Sequence, residues 1–107
     1  MKNANIFVDV DLTLVDSNCQ LLPGARESLQ NLKNAGTHLF LWSTNGAEYA
    51  EKVASIHGLK DLFEGFAAKP DIIIDDMPST CIAPFTYNVQ DQPWPQVAKE
   101  IIKRHIG

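Results

Sequence analysis

Short apolar runs alternate with longer amphipathic segments along this chain. Runs of three to five apolar, β-branched or aromatic residues are typical of buried strands, and the run Ile72-Ile73-Ile74 has the composition of a strand covered on both faces. Five segments are predicted to be strands: 6–8, 38–42, 62–66, 72–74 and, interrupted by Pro84, 82–89. The chain therefore starts with a strand and returns to one repeatedly.

Three amphipathic segments separate or follow these runs. The first begins after Pro23-Gly24 and ends near Gly36, and the second follows the capping residues Ser43 to Gly46 and ends near Gly58. The third follows Pro93 and Pro95. Their apolar positions recur at helical spacing and predict buried stripes formed by Ala25, Leu29 and Leu32; by Ala50, Val53 and Ala54; and by Val97, Ala98, Ile101 and Ile102.

The alternation of strands and helices predicts the fold class. Strands joined through helices are parallel, and their crossovers are right-handed. We therefore expect an α/β three-layer sandwich with a central parallel sheet and helices on both faces. A length of 107 residues suits one domain, spanning 1–107.

Composition narrows the functional classes. Apolar residues make up 45% of the chain and charged residues 21%, which is ordinary for a globular protein. No apolar run approaches the roughly 18 residues of a membrane span, and the first residues lack the pattern of a signal peptide. A net charge of -4 disfavours non-specific binding to nucleic acid or anionic membranes. Cys19 and Cys81 fit no metal or redox spacing, so we expect reduced thiols in a cytoplasmic protein.

Polar side chains follow three of the predicted strands. Asp9, Asp11 and Thr13 come after the first strand, and the run Ser43-Thr44-Asn45-Gly46 comes after the second. Asp75 and Asp76 follow the fourth, with Lys69 just before it. Parallel sheets bind ligands beyond the carboxyl ends of their strands, so one edge of the sheet is expected to collect these residues.

The charges of that set predict phosphoryl chemistry. Four carboxylates, those of Asp9, Asp11, Asp75 and Asp76, cannot all ionise close together without a cation, and Mg²⁺ prefers such oxygen ligands. Hydroxyls, a helix N-terminus and a lysine bind phosphate. The predicted phosphate-binding residues are Ser43, Thr44, Asn45 and Lys69. A carboxylate can itself be the nucleophile and form an aspartyl-phosphate.

These residues resemble the haloacid dehalogenase (HAD) superfamily of phosphotransferases. Asp9-Val10-Asp11-Leu12-Thr13 is similar to its Asp-x-Asp-x-Thr signature. Ser43 or Thr44, then Lys69, then Asp75-Asp76 are similar to its three later signatures, in the same order along the chain. The resemblance implies a Rossmann-like core and a magnesium-dependent phosphatase.

The resemblance also implies a role for each matched residue. Asp9 would take the phosphoryl group and bind the metal, and Asp11 would act as general acid and then as general base, with its backbone carbonyl facing the metal. Ser43, preferred here to Thr44, would hydrogen-bond the phosphoryl oxygens, and Lys69 would neutralise them and hold Asp9. Asp75 and Asp76 would complete the metal shell. Lys69 lies only six positions before Asp75, closer than in many members of the superfamily.

The intervals between the motifs are too short for the cap domain of larger superfamily members. A minimal, capless member would have an open site, suited to a large phosphorylated substrate or covered by a second subunit of a homo-oligomer. The segments 14–22 and 84–94 are the nearest candidates for substrate contacts.

Two other functional hypotheses are compatible with these residues. One is a catalytically silent binding or scaffold domain that keeps the fold. The other is a receiver-like phosphoacceptor domain, but receivers have their acidic pair after the first strand and the acceptor aspartate after the third. The order in this chain differs, because Asp9 and Asp11 come first and Asp75-Asp76 comes fourth.

Overall fold

The computed structural model describes residues 3–77 and 83–107. Strands and helices alternate through most of the chain. The elements are β1 (Asn5–Asp9), α1 (Ala25–Asn34), β2 (His38–Ser43), α2 (Ala47–Ile56), β3 (Gly65–Ala68) and α3 (Trp94–Ile101), with a 3-10 turn at Lys60–Leu62 and a π-helical turn at Ile102–Ile106.

The three strands form one parallel sheet in the order β1-β2-β3. The register places Val8 beside Leu41, Asp9 beside Trp42, and Ser43 beside Ala68. The predicted α/β class and the parallel pairing of the first three strands are therefore confirmed.

The predicted helical stripes form the core. Their members are buried, apart from Ile102, which is partly buried at the end of α3: Ala25, Leu29 and Leu32 in α1, Ala50, Val53 and Ala54 in α2, and Val97, Ala98 and Ile101 in α3. In the described part of the chain, every helix is too short, or not apolar enough, to cross a membrane.

The two faces of the sheet have different surroundings. Val8, Leu39 and Leu41 belong to the same buried cluster as the helices. Phe7 lies on the opposite face, where its ring stacks on Phe40 and meets Trp42 edge-on. Right-handed crossovers in the order 1-2-3 put consecutive helices on one face, because each connection advances in the same direction. The described residues thus form two layers, and the expected helices on both faces are not formed among them.

The third strand lies a few residues later than predicted. Leu62 belongs to the 3-10 turn, where its N–H donates to the carbonyl of Leu59 at 3.0 Å. The apolar pattern of 62–66 reflects packing of this turn, since Leu59 and Phe63 are both buried. The strand itself begins at Gly65.

The prediction of a fourth strand at 72–74 was wrong. Ile72 and Ile74 are 83% and 97% exposed, and the segment joins no ladder. Only three residues separate it from the end of β3, whereas a parallel crossover needs a dozen or more. Of the predicted fifth strand, Ile82 lies outside the described residues, as does Cys81, and residues 83–89 form no strand. Pro84 fits that outcome, because it cannot donate to a ladder.

Candidate functional site

The carboxyl ends of the three strands bring three predicted site residues to one edge, here called the rim: Asp9, Ser43 and Lys69. Asp9 ends β1, Ser43 ends β2, and Lys69 directly follows β3. The Lys69 N–H donates to the carbonyl of Ser43 at 3.0 Å, which extends the pairing of β2 and β3 by one residue. Lys69 therefore reaches the rim from the end of β3, and its short spacing to Asp75 does not prevent this.

Asp9 is held by two partners. Its Oδ1 lies 3.1 Å from Lys69 Nζ, and its Oδ2 accepts a hydrogen bond of 3.3 Å from the Thr13 hydroxyl. The side chains of Asp9 and Lys69 are each about one-third exposed, at 31% and 34%. The carboxylate is thus oriented, compensated by a cation, and still open to solvent on one side.

Val10 anchors the loop after β1 to the core. This side chain is fully buried, and its carbonyl accepts the N–H groups of Leu14 and Val15 at 2.9 and 3.1 Å. The segment before α3 and its first residue also tie the loop down, since Gln90 Nε2 donates to the Leu12 carbonyl at 2.7 Å and Trp94 Nε1 to the Thr13 carbonyl at 2.8 Å. The loop that follows Asp9 and carries Asp11 is therefore fixed both by the core and by the segment around the start of α3.

Asp11 receives two hydrogen bonds from the start of α2. The Tyr49 hydroxyl donates to Oδ1 at 2.7 Å, and the Asn45 amide donates to Oδ2 at 3.2 Å. The hydrogen bond to Asp11 is the main cause that raises the pKa of Tyr49 to about 12. Sequence reasoning missed Tyr49 as a site residue. The available signal was its position in the first turn of α2, close to the turn from Ser43 to Asn45 that precedes the helix.

The hydroxyls after β2 differ in burial. Ser43 is 1% exposed, and its Oγ accepts the N–H of Asn45 at 3.0 Å, whereas Thr44 is exposed. Because Asn45 also contacts Asp11, the turn from Ser43 to Asn45 links β2 to the loop after β1. The predicted phosphate-binding set therefore lies at the rim, with Ser43 facing inward.

Asp75 and Asp76 are not brought to the rim. Both are exposed, and Asp75 Oδ1 accepts the N–H of Met77 at 2.8 Å. Within residues 3–77 and 83–107, no three His, Cys, Asp or Glu side chains lie close enough to hold a metal. The expected convergence of four carboxylates does not form there, because the segment before Asp75 is not a strand of this sheet.

The remaining donors still suit a hard cation. Mg²⁺ usually takes one or two protein carboxylates and fills its other positions with water and phosphate oxygens. Asp9 supplies a solvent-accessible carboxylate at the end of β1, and Asp11, two residues later, is expected to offer its backbone carbonyl. The residues at the rim therefore fit Mg²⁺ with fewer protein ligands than the sequence predicts.

The site described by these contacts is an aspartate paired with a lysine, next to a second aspartate held by two donors. Such a pairing of carboxylates with anion-binding groups is suited to phosphoryl transfer. Comparisons with protein-family profiles, with curated proteins and with solved structures give no match to this chain, so its function has to be argued from the rim itself.

Proposed function

We propose that this chain is a magnesium-dependent phosphomonoester hydrolase of the HAD type, acting through an aspartyl-phosphate on Asp9. The observation that carries the proposal is the Asp9–Lys69 ion pair of 3.1 Å at the rim, two residues from Asp11. An aspartate attacks phosphorus only when its carboxylate is correctly aimed, and the contact with the nearby ammonium group fixes the orientation of Asp9.

In the first step, an Oδ atom of Asp9 forms a bond to phosphorus while the bond from phosphorus to the ester oxygen breaks. Asp11 in its protonated form donates a proton to that leaving oxygen, so an alcohol is released. In the second step, Asp11 accepts a proton from water, and the hydroxide attacks phosphorus and breaks the bond to Asp9. Inorganic phosphate leaves, and both carboxyl groups regain their starting states.

The other residues at the rim serve orientation and charge. Tyr49 and Asn45 fix the plane of the Asp11 carboxyl group, which has to face the leaving oxygen and later the water. In this proposal Lys69 offsets the negative charge of the phosphoryl oxygens, and Ser43 donates its hydroxyl to one of them. Asp9, through its carboxylate, and Asp11, through its backbone carbonyl, would hold Mg²⁺, which would supply further positive charge beside the phosphoryl group.

The test is hydrolysis of p-nitrophenyl phosphate with Mg²⁺ by the wild-type protein and the Asp9→Asn variant. We expect Asp9→Asn to lower kcat roughly a thousandfold or more, because the amide is a poor nucleophile. Asp61→Asn is the matched control, since Asp61 is exposed and belongs to the 3-10 turn away from the rim. We also expect a metal chelator to abolish turnover, and wild-type rates in Asp9→Asn would contradict the proposal.

A second candidate is the catalytically silent binding domain. It is favoured by the placement of Asp75 and Asp76 away from the rim. A folded wild-type protein that binds Mg²⁺ at Asp9 but releases no phosphate from any ester would support this candidate. A mass increase of one phosphoryl group on Asp9 that hydroxylamine removes would exclude it.

A further inference from the structure

A cleft of about 710 Å³ starts at Asp9 and runs beside β1 toward α3. Asp9 and Thr13 lie at its rim end, and large apolar side chains form much of its wall. The apolar residues that matter here are Phe7, Trp42, Ile73, Phe85 and Trp94. This volume lies in the range of sites that hold a small molecule, roughly 300–1,000 Å³.

We infer that this cleft binds the leaving group of the substrate, and that this group contains a planar apolar ring system. The inference rests on the proposed function, which places the phosphoryl group at Asp9. It adds the chemical class of the alcohol: an aryl or aryl-alkyl phosphomonoester.

The first support is the position of Trp42 relative to the reacting group. The strand register sets Trp42 directly beside Asp9, on the same face of the sheet. Lys69 Nζ lies 3.1 Å from Asp9 Oδ1 and 5.9 Å from the centre of the Trp42 ring. A phosphoryl group on Asp9 and Lys69 therefore has an aromatic surface within the length of a short linker.

The second support is the exposed apolar surface inside the cleft. Phe7 is 48% exposed, Phe85 53% and Ile73 39%, so an apolar ligand would remove them from water. Trp94 is only 4% exposed and contributes a buried part of the wall, where its Nε1 already donates to the Thr13 carbonyl at 2.8 Å. Aromatic walls favour a planar ligand, which stacks or meets them edge-on.

The third support is charge. Among the described residues that line the cleft, none is Lys or Arg, Asp9 is the one carboxylate, and the one histidine, His105, has its Nε2 2.7 Å from the Tyr87 hydroxyl. A leaving group with several anionic charges, such as a nucleoside diphosphate, would find no lysine or arginine to pair with along the wall. A neutral ring system has no such requirement.

The kinetic test compares 2-(2-naphthyl)ethyl phosphate with ethyl phosphate, whose leaving alcohols have similar acidity. We expect the naphthyl ester to have a KM at least roughly tenfold lower, because its rings are buried in the cleft. Phe7→Ala should reduce this preference by a factor of about five. Ile56→Ala is the matched control, since Ile56 is 63% exposed but lies on α2 outside the cleft, and it should leave the preference unchanged.

The binding test uses 2-naphthylmethylphosphonate and methylphosphonate, which cannot be hydrolysed at the carbon–phosphorus bond, in calorimetric titrations. Tighter binding of the naphthyl compound that is weakened in Phe7→Ala supports the inference. Phe85→Ala serves as a second variant on a different segment, in case Phe7→Ala fails to fold. Naphthyl selectivity in binding without turnover of any ester would refute the hydrolase but support the cleft ligand. If both esters are hydrolysed with the same KM and both phosphonates bind with the same Kd, the inference about the cleft is wrong and the proposed hydrolase activity is still supported.

Discussion

The contact between Tyr49 and Asp11 joins α2 to the loop after β1. The phenol donates at 2.7 Å to one carboxylate oxygen while Asn45 donates to the other, so Asp11 has lost most of its freedom to rotate. A general acid has to hold its proton within hydrogen-bond reach of the leaving oxygen. At the scale of single residues, the structure therefore shows a carboxyl group whose orientation is set before any ligand arrives.

Titration of the tyrosines tests this contact. The pKa of Tyr49 is raised from 10.0 to about 12, first by its hydrogen bond to Asp11 and then by burial and the nearby negative charge. The folded state therefore keeps the phenolic proton where the unfolded chain has lost it. The stability gained from the contact is present below about pH 10 and is lost as the pH rises toward 12.

We expect ultraviolet absorbance to show one of the two tyrosines ionising near pH 12 in the wild-type protein. In Asp11→Asn this transition should move to lower pH, toward 10.0, because the charged acceptor is gone. Tyr49→Phe supplies the assignment, since it should remove that transition. An unchanged transition in Asp11→Asn would contradict the contact.

Prediction from sequence succeeded for site residues whose position follows from the end of a strand. Asp9 and Ser43 lie at one edge because parallel strands end there, and that requires only the order of elements. Lys69 joins them from the end of β3, which lies two residues later than predicted. Predicting the contact of Tyr49 would also have required the rotation of α2 about its axis relative to the loop that carries Asp11. Helical periodicity gives the buried stripe but not which polar residue of the first turn faces a neighbouring loop.

At the scale of elements, the start of α1 is fitted against the start of α3. Gly24 precedes α1 with φ of 78°, and a Cβ atom built on it would lie 2.8 Å from Cδ and Cγ of Pro95. Pro95 is in the first turn of α3 and has a rigid ring. The two helices can thus approach closely only because residue 24 lacks a side chain.

Gly24→Ala and Gly36→Ala form a matched pair that isolates this close approach. Both residues have positive φ, 78° and 96°, so each substitution carries the backbone cost of roughly 1–2 kcal/mol. At Gly36 a Cβ meets nothing within 4 Å, whereas at Gly24 it meets the Pro95 ring. Urea unfolding should therefore show Gly24→Ala to be less stable than Gly36→Ala by about 1–3 kcal/mol. Equal losses would mean that α1 and α3 are not in close contact at this point.

The incorrect prediction of a strand at 72–74 has a physical cause. Composition identified the apolar run at 72–74 as a strand, but composition does not measure the length of the connection that precedes it. With β3 ending at Ala68, three residues cannot carry the chain back to start another parallel strand. The first two strands and all three helices are connected by segments long enough for their crossovers, and these elements agree with the prediction.

At the scale of the whole molecule, the sheet is covered by helices on the face that bears Val8, Leu39 and Leu41. The opposite face presents the aromatic rings of Phe7, Phe40 and Trp42, of which Phe7 remains about half exposed. The isoleucines of 72–74 also remain outside the core. Exposed apolar side chains grouped beside a candidate active site are expected to bind an apolar ligand. An aryl leaving group in the cleft would be such a ligand.

Substitution at Ile72 and Ile74 tests this arrangement of the molecule. Because the two side chains are 83% and 97% exposed, we expect Ile72→Ser and Ile74→Ser each to change the free energy of unfolding by no more than about 0.5 kcal/mol. Leu39→Ala is the comparison for a side chain in the sheet, since Leu39 is 1% exposed, and it should cost about 2–5 kcal/mol in urea unfolding.

If 72–74 were a strand buried on both faces, Ile72→Ser and Ile74→Ser would each lower the free energy of unfolding by about as much as Leu39→Ala. Such losses would return the segment to the sheet, and Asp75 and Asp76 would then end a strand that reaches the rim. Small losses together with a magnesium requirement would instead assign the metal to Asp9 and Asp11 alone. Asp75→Asn combined with Asp76→Asn should then leave the magnesium dependence of turnover unchanged, because among the described residues these carboxylates form no metal-binding group with Asp9 and Asp11.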